Sequence, residues 1–584
     1  MPDVSTVIKS LLLKGGTIIN HDASLKADVL IQNGVIQAIG EDLTCPEGTR
    51  VINVNDKLLL PGGVDLDCHI GVANSDDPLA DNYSSAGKAA LLGGTTTVVN
   101  TVNAFPDGSL VTAYDRFVSS IQGNIGCDYS VCVRLTYFSP EIEKQLITLV
   151  QDKGVVLFSI RLGSTFLSIK DDEQCINEEE FYCFLKVCRQ LGVLPMLEAA
   201  TSISLSHKLS CDLQKNCPNI GPEVHFMSSP EESEANTVLQ GSLFSQYAGF
   251  CCPLLISRIH SEAALNHFIE QRRMCRGLLF GQTSVSAIVA PLSLRSSNDY
   301  SKDVFTQSKD WATAASYVSC PPLRPNVHLS ERLLTHLISE DLACVGSGHR
   351  AITTAVRAAF GLKNALHIPR GIAALGCRMI FLWQYGVESG SLDPFTFVKV
   401  TSTNPARLMN LYPRKGRIQV GSDADIIIWS KSFKHENLKY IFPNNVTNIF
   451  SDAVNICQSG PEMVILHGHI VVENNELLDD ICCGNLVTSQ PFSHYVYGRV
   501  NAVEENVNSE FMPLPREPYV EDVIMNASES ASSNDQPKEG YYFRKEYYDN
   551  MPKVALPPGQ RIVHTSVKTA QPPGGLSNPF WLNE

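Results

Sequence analysis

No apolar run in this 584-residue chain approaches the roughly 18 residues that a membrane-spanning helix needs. Stretches such as Leu58 to Leu60 or Ala424 to Trp429 are short, and the second carries an aspartate. The first residues, Met1 to Lys14, offer no basic start followed by a small-residue cleavage site, so an intracellular, cytoplasmic protein is expected. Positive charge is scarce as well: 46 Lys and Arg face 61 Asp and Glu, a net charge of −15. That balance repels a phosphate backbone and argues against a nucleic-acid partner. Eighteen cysteines are present, but no C-x-x-C spacing, which excludes the common zinc ribbons and leaves scattered reduced thiols. There is no G-x-S-x-G, and the Gly-rich GGTTT at Gly93 to Thr97 lacks the following lysine of a phosphate loop.

What is present is a clear organisation. From Ile8 to Val54, short β-rich runs alternate with turn signals such as Asn33-Gly34. The same style returns after residue 415 in KGRIQVGSDADIIIWS and MVILHGHIVVENN, so residues 1–60 and 411–490 are expected to build one small composite β-sandwich domain. Between them, over 61–410, strand-like runs (TTTVVNTV, YSVCVRL, GVVLFSI, GVLPMLEAA, CPLLISRI, ACVGSG) alternate with helix-like stretches. That alternation predicts an α/β fold with a closed (β/α)8 barrel. Residues 491–584 turn to Pro, Ser, Asn and acidic composition, which predicts a docking segment, through Tyr495 and Tyr497, followed by a flexible tail beyond about Asn526.

The string PGGVDLDCHI, Pro61 to Ile70, resembles the metal-binding opening of the cyclic amidohydrolases. GKAALLGGTTTVVN, GPE with SPEESEA, YVSCPPLRP and VTSTNPARLMNLYPRKGRIQVGSDADIIIW resemble the dihydropyrimidinase and hydantoinase branch. The resemblance implies a site of two zinc ions held by four histidines, an aspartate and a carbamylated lysine, where a bound water becomes the nucleophile. Matched onto this chain, the six positions read Asp67, His69, Ser159, Glu198, Arg258 and Gly348, so five have changed and only His69 is retained. A serine cannot be carbamylated and an arginine does not deprotonate to bind a cation. The oxyanion-stabilising tyrosine of the family falls on Ser164.

This pattern is similar to that of the dihydropyrimidinase-related, or collapsin response mediator, proteins, with further likeness in PLPREPYVED (Pro513 to Asp522), the terminal QPPGG (Gln571 to Gly575) and LYPRKGRI. The resemblance implies a non-enzymatic, cytosolic, homotetrameric adaptor that takes no cofactor and binds tubulin or cytoskeletal regulators in neuronal development and axon guidance. Beyond Gln490 there is no Ser-Pro or Thr-Pro, so the proline-directed phosphorylation of that group has no counterpart, and Ser532 to Asp535 is the remaining acidic serine site. A living cyclic-amide hydrolase and a small-molecule sensor are the alternative readings. His349 and Asp65 are expected to be structural, and Arg258 argues against a single metal on Asp67, His69 and Glu198. Two carboxylates facing one mouth without metal need a counterion. The expectation is that Arg258, helped by Arg161, hydrogen-bonds both Asp67 and Glu198, with His69 as a further partner.

Overall fold

A computed structural model describes residues 10–500, apart from 72–78, 104–108, 164–174, 201–202, 249–250, 294–309, 432–440, 479–483 and a few positions between 443 and 456. The tail beyond residue 500, with its likeness to PLPREPYVED and QPPGG, lies outside the described residues, as does Ser164.

Both ends of the described chain enter one nine-stranded sheet. Its N-terminal strands are β1 (Ser10–Ile19), β2 (Ser24–Gln32), β3 (Val35–Gly40), β4 (Arg50–Asn53) and β5 (Leu58–Pro61). The first part of β1 runs parallel to β4, and after a bulge between Leu13 and Gly16 its second part runs parallel to β5. An extra residue in one strand bends it and lets it change neighbours, and here one strand thereby pairs with both β4 and β5.

Eight parallel strands follow in strict sequence order: β6 (Gly63–Cys68), β7 (Thr95–Asn103), β8 (Asp128–Arg134), β9 (Leu157–Ile160), β10 (Leu194–Glu198), β11 (Leu254–Ser257), β12 (Leu279–Ser284) and β13 (Cys344–Gly346). A parallel bridge between Cys68 and His349, with His69 N–H donating to His349 O at 2.8 Å, brings the last strand back to the first. This is the TIM-like barrel that the alternating pattern predicts. The chain then returns to the first sheet with β14 (Ile426–Ser430), β15 (Gly460–Leu466), β16 (His469–Glu473) and β17 (Glu476–Leu477), where β14 pairs antiparallel with β5.

The covering helices include α1 (Tyr83–Leu92), α2 (Leu110–Ile121), α3 (Pro140–Gln151), α4 (Glu178–Leu191), α5 (Ile203–Asn216), α6 (Val224–Met227), α7 (Glu231–Tyr247), α8 (Glu262–Met274) and α9 (Val285–Ser293). Local chemistry sets their ends. Ser139 caps α3 with Pro140 in its first turn, and Asn177 with Glu180 forms a reciprocal capping box on α4. Gly192 ends α4 at φ +70°, a left-handed turn that a side chain would strain. GGTTT sits between α1 and β7, where a Cβ on Gly93 would meet the Gly376 carbonyl, so close packing accounts for that glycine.

Inside the barrel the period of two sorts the residues. Leu157, Met196, Leu255 and Phe280 pack together with Val64, Leu66 and Val99, while their sequence neighbours Phe158, Leu197, Ile256 and Leu279 join the larger core under the helices. The inner cluster is closed from beneath by Val496, Tyr497 and Val500. The Tyr497 hydroxyl donates to Val193 O at 2.6 Å, and the Tyr495 ring lies 5.5 Å from Phe280, so both tyrosines dock the segment after the sheet. Among the described residues no helix is long and apolar enough to cross a membrane.

Candidate functional site

The inner faces of the strands change character toward their C-terminal ends. Beyond Leu157 on β9 come Ser159 and then Arg161; beyond Cys132 on β8 comes Arg134; beyond Met196 on β10 comes Glu198. Charged groups therefore collect where the barrel opens.

Asp67, 2% exposed, is gripped by Arg258: Nε donates to Oδ2 at 2.6 Å and Nη2 to Oδ1 at 2.5 Å, a two-pronged charge-assisted pair. The same Nη2 lies 2.7 Å from His69 Nε2, and Nη1 donates to Cys320 O at 3.2 Å. Arg258 adopts a left-handed backbone at φ +57°, an unfavourable conformation for a non-glycine residue, in making these contacts. The loop that carries it is pinned from behind by Glu234, whose Oε1 accepts from His260 N at 2.8 Å and Ser261 N at 3.1 Å. This gives the SPEESEA motif a structural part that the sequence alone did not reveal. Burial pushes the Glu234 carboxyl up to about 7, against the opposing pull of Arg324.

Glu198 is held by different partners from those expected. Arg161 Nε donates to Oε2 at 2.7 Å, and Arg134 Nη2 pairs with Oε1, whereas Arg258 Nη1 stays 4.0 Å from Oε2. Arg258 therefore serves Asp67 and not both carboxylates. The reason is geometric: its Nε and Nη2 edge is committed to one carboxylate and its Nη1 to a carbonyl. Arg134 was missed in the sequence. Its signal was available, since it ends YSVCVRL on the same inward alternation as Cys132 and lies opposite Ser159 in the sheet register.

Three guanidiniums around two carboxylates set the protonation states. Burial alone would raise the Asp67 carboxyl, but the Arg258 charge and hydrogen bonds outweigh it and hold it below its ordinary value. Burial, reinforced by Arg258, Arg134, Arg350 and Arg161, pushes His69 well below the ordinary imidazole range. His69 is thus neutral and accepts from Arg258. Arg134 is lowered to about 9 by burial and by its like-charged neighbours Arg161 and Arg258.

Ser159 is fully buried, cross-strand from Arg134 and Met196. Gly348, at φ +60°, has no side chain to offer; a Cβ there would sit 3.8 Å from Arg258 Nε and 3.9 Å from Asp67 Oδ2. His349 turns away from this group: Nε2 donates to Asp81 Oδ2 at 2.7 Å while Nδ1 accepts from Ala374 N and Leu375 N, both at 3.2 Å. Asp65 faces the fully buried Arg378 at 3.8 Å and accepts from Ser347 N at 3.1 Å. Both residues tie the strands together.

A two-zinc centre does not fit this donor set. The oxygens of Asp67 and Glu198 and the free nitrogen of His69 are engaged with guanidinium, Ser159 carries no amine, Gly348 carries no donor, and Arg258 brings a fixed positive charge. Among the described residues, the group of acidic and histidine side chains with cation-holding geometry is Asp128, Asp425 and His467. It lies at the other end of the barrel and encloses an ammonium. Lys415 Nζ is 2.5 Å from Asp128 Oδ2, 2.5 Å from Asp425 Oδ2 and 3.1 Å from Asp423 Oδ2.

Comparison with known proteins places this geometry. The amidohydrolase family model matches residues 342–471. Rat dihydropyrimidinase is 31% identical over 526 residues, covering 88% of this chain and 95% of that protein. Rat dihydropyrimidinase-related protein 5 is 29% identical over 586 residues, covering 98% of each. Among solved structures, a D-hydantoinase (dihydropyrimidinase) from Thermus sp. superimposes with a TM-score of 0.72 at 27% identity, over 83% of this chain and all of that one. With an amidohydrolase barrel, a composite sheet and identity of this extent, the chain belongs to the dihydropyrimidinase family, in which the dihydropyrimidinase-related proteins are among its relatives.

Proposed function

We propose that this chain is a non-enzymatic cytoplasmic adaptor on the dihydropyrimidinase scaffold. It acts as a homotetramer in cytoskeleton regulation during neuronal development and axon guidance, with tubulin or its regulators as partners. The observation that carries the loss of chemistry is the Arg258 fork on Asp67: a guanidinium stands where the resemblance puts a metal ligand, and it consumes the carboxylate opposite. Hydroxide generation at neutral pH needs the cation that this donor set does not accommodate.

The test is hydrolysis of dihydrouracil and hydantoin by purified protein, with and without added Zn²⁺, alongside cosedimentation with purified tubulin. No turnover is expected in either condition. Turnover that is removed by a chelator and by His69→Ala would overturn the pseudoenzyme reading. Absence of tubulin binding at micromolar concentrations would remove the proposed partner.

A further inference from the structure

The mouth of the barrel does not offer its two signs of charge equally to solvent. The Asp67 and Glu198 side chains are 2% and 3% exposed, whereas those of Arg258, Arg134 and Arg161 are 10%, 11% and 13% exposed. The carboxylates are covered, and a molecule entering the opening meets guanidinium. Three guanidiniums also outnumber two carboxylates, and His69, neutral while its Nε2 accepts from Arg258, adds no charge of its own. Among these six groups one positive charge is left over. Arg134 is the least satisfied of the three cations. Its Nη2 faces Glu198 Oε1, but its Nε, sealed from solvent, donates to nothing among the described residues. Arg258, by contrast, has committed Nε, Nη1 and Nη2. A guanidinium carries five N–H donors, and leaving a desolvated one partly unpaired is costly. Burial and the like charges of Arg161 and Arg258 already press on Arg134, a strain that a nearby anion relieves.

We propose that the mouth is a binding site for a small organic monoanion, which it holds by its carboxylate group with Arg134 as the principal contact, beside Arg161. Two arguments select this class of ligand. A planar guanidinium fork matches a planar carboxylate, and the pair forms charge-assisted hydrogen bonds. A single negative charge also balances the surplus, whereas a phosphate dianion overshoots it beside Asp67 and Glu198, and a neutral cyclic amide leaves it in place. The site binds without reacting, because the cations that hold the ligand are arginines and activate no water. It therefore goes beyond the adaptor reading and stands or falls separately from it: hydrolysis of dihydrouracil bears on lost chemistry, and anion binding does not.

Isothermal titration of the full chain with acetate and with butyrate, against phosphate and chloride at matched ionic strength, tests this. Saturable carboxylate binding in the millimolar range is expected, with phosphate and chloride at least about tenfold weaker. Arg134→Gln removes the charge and the fork and is expected to weaken carboxylate binding at least about tenfold. Arg273→Gln, at an exposed arginine on α8, leaves it unchanged. Equal affinity in the parent and Arg134→Gln overturns the site. Phosphate or chloride binding as tightly as acetate overturns the carboxylate class, and the absence of saturable binding overturns both. Should Arg134→Gln not fold, Arg134→Lys keeps the charge and loses the fork; an affinity equal to that of the parent then overturns the assignment to Arg134.

Discussion

Strand β8 begins in one buried ion network and ends in another. At its start, Asp128 shares Lys415 with Asp423 and Asp425, and its other oxygen lies 2.8 Å from His467 Nε2. At its end, Arg134 joins Arg161 and Arg258 around Glu198 and Asp67. The two lie about 20 Å apart along one strand. Carboxylate predominates in the first and guanidinium in the second, and the histidine in each responds accordingly. The Asp128 hydrogen bond, with the charges of Asp425 and Asp128, outweighs burial and the repulsion of Lys415 to raise His467, whereas burial and the surrounding arginines lower His69. The same residue type is therefore shifted in opposite directions at the two ends of β8, because the local charge balance is reversed.

The largest effect should come from Lys415→Ala. It removes the cation that three carboxylates share, leaving His467 on Asp128 and Arg414 on Asp423, and is expected to cost near the upper end of roughly 3–5 kcal/mol, read as a lowered denaturant midpoint. Arg258→Ala at the mouth should cost about 3 kcal/mol, since only Asp67 is stranded and Arg134 and Arg161 remain nearby. Equal midpoints for this variant and the parent would reject the idea that Arg258 holds the mouth of the barrel together.

The pH dependence separates the two networks by sign. His467 has a folded pKa above its unfolded value of about 6.5, so its contribution is complete below that pH and is lost as pH rises through the folded value. His69 has a folded pKa well below about 6.5, so its contribution is complete above that pH and is lost as pH falls. Unfolding midpoints measured from pH 5 to 8.5 should lose a downward trend in His467→Gln and an upward trend in His69→Gln. Changes of the same sign in both variants would remove the contrast. The smallest effect is expected for Arg161→Gln, about 1 kcal/mol, because Arg134 still pairs with Glu198. A loss as large as that of Arg258→Ala would show that Arg161 is the principal counterion.

The barrel and the two-ended sheet were legible because each rests on local alternation: TTTVVNTV or GVVLFSI reads as a strand whatever surrounds it, and the turn signals between them are local as well. The resemblance located the six matched positions, five of them altered. It could not apportion partners, so Arg258 was assigned both carboxylates and Arg134 was overlooked, although its position on YSVCVRL carried the alternation that would have found it. The Lys415 network had no sequence signal of its own. Asp128, Lys415, Asp425 and His467 are spread over more than 300 residues and are ordinary in their local contexts.

By itself, then, the sequence determined the strand and helix order, the family likeness and the residue types at the six positions the resemblance matches, since each depends on residue identity and short-range periodicity. The tertiary structure decided which guanidinium faces which carboxylate, which histidine is neutral, and which sign of charge the mouth offers to solvent. Those outcomes depend on distances and burial between strands far apart in the chain, where desolvation and charge pairing act only once the barrel has brought the groups together.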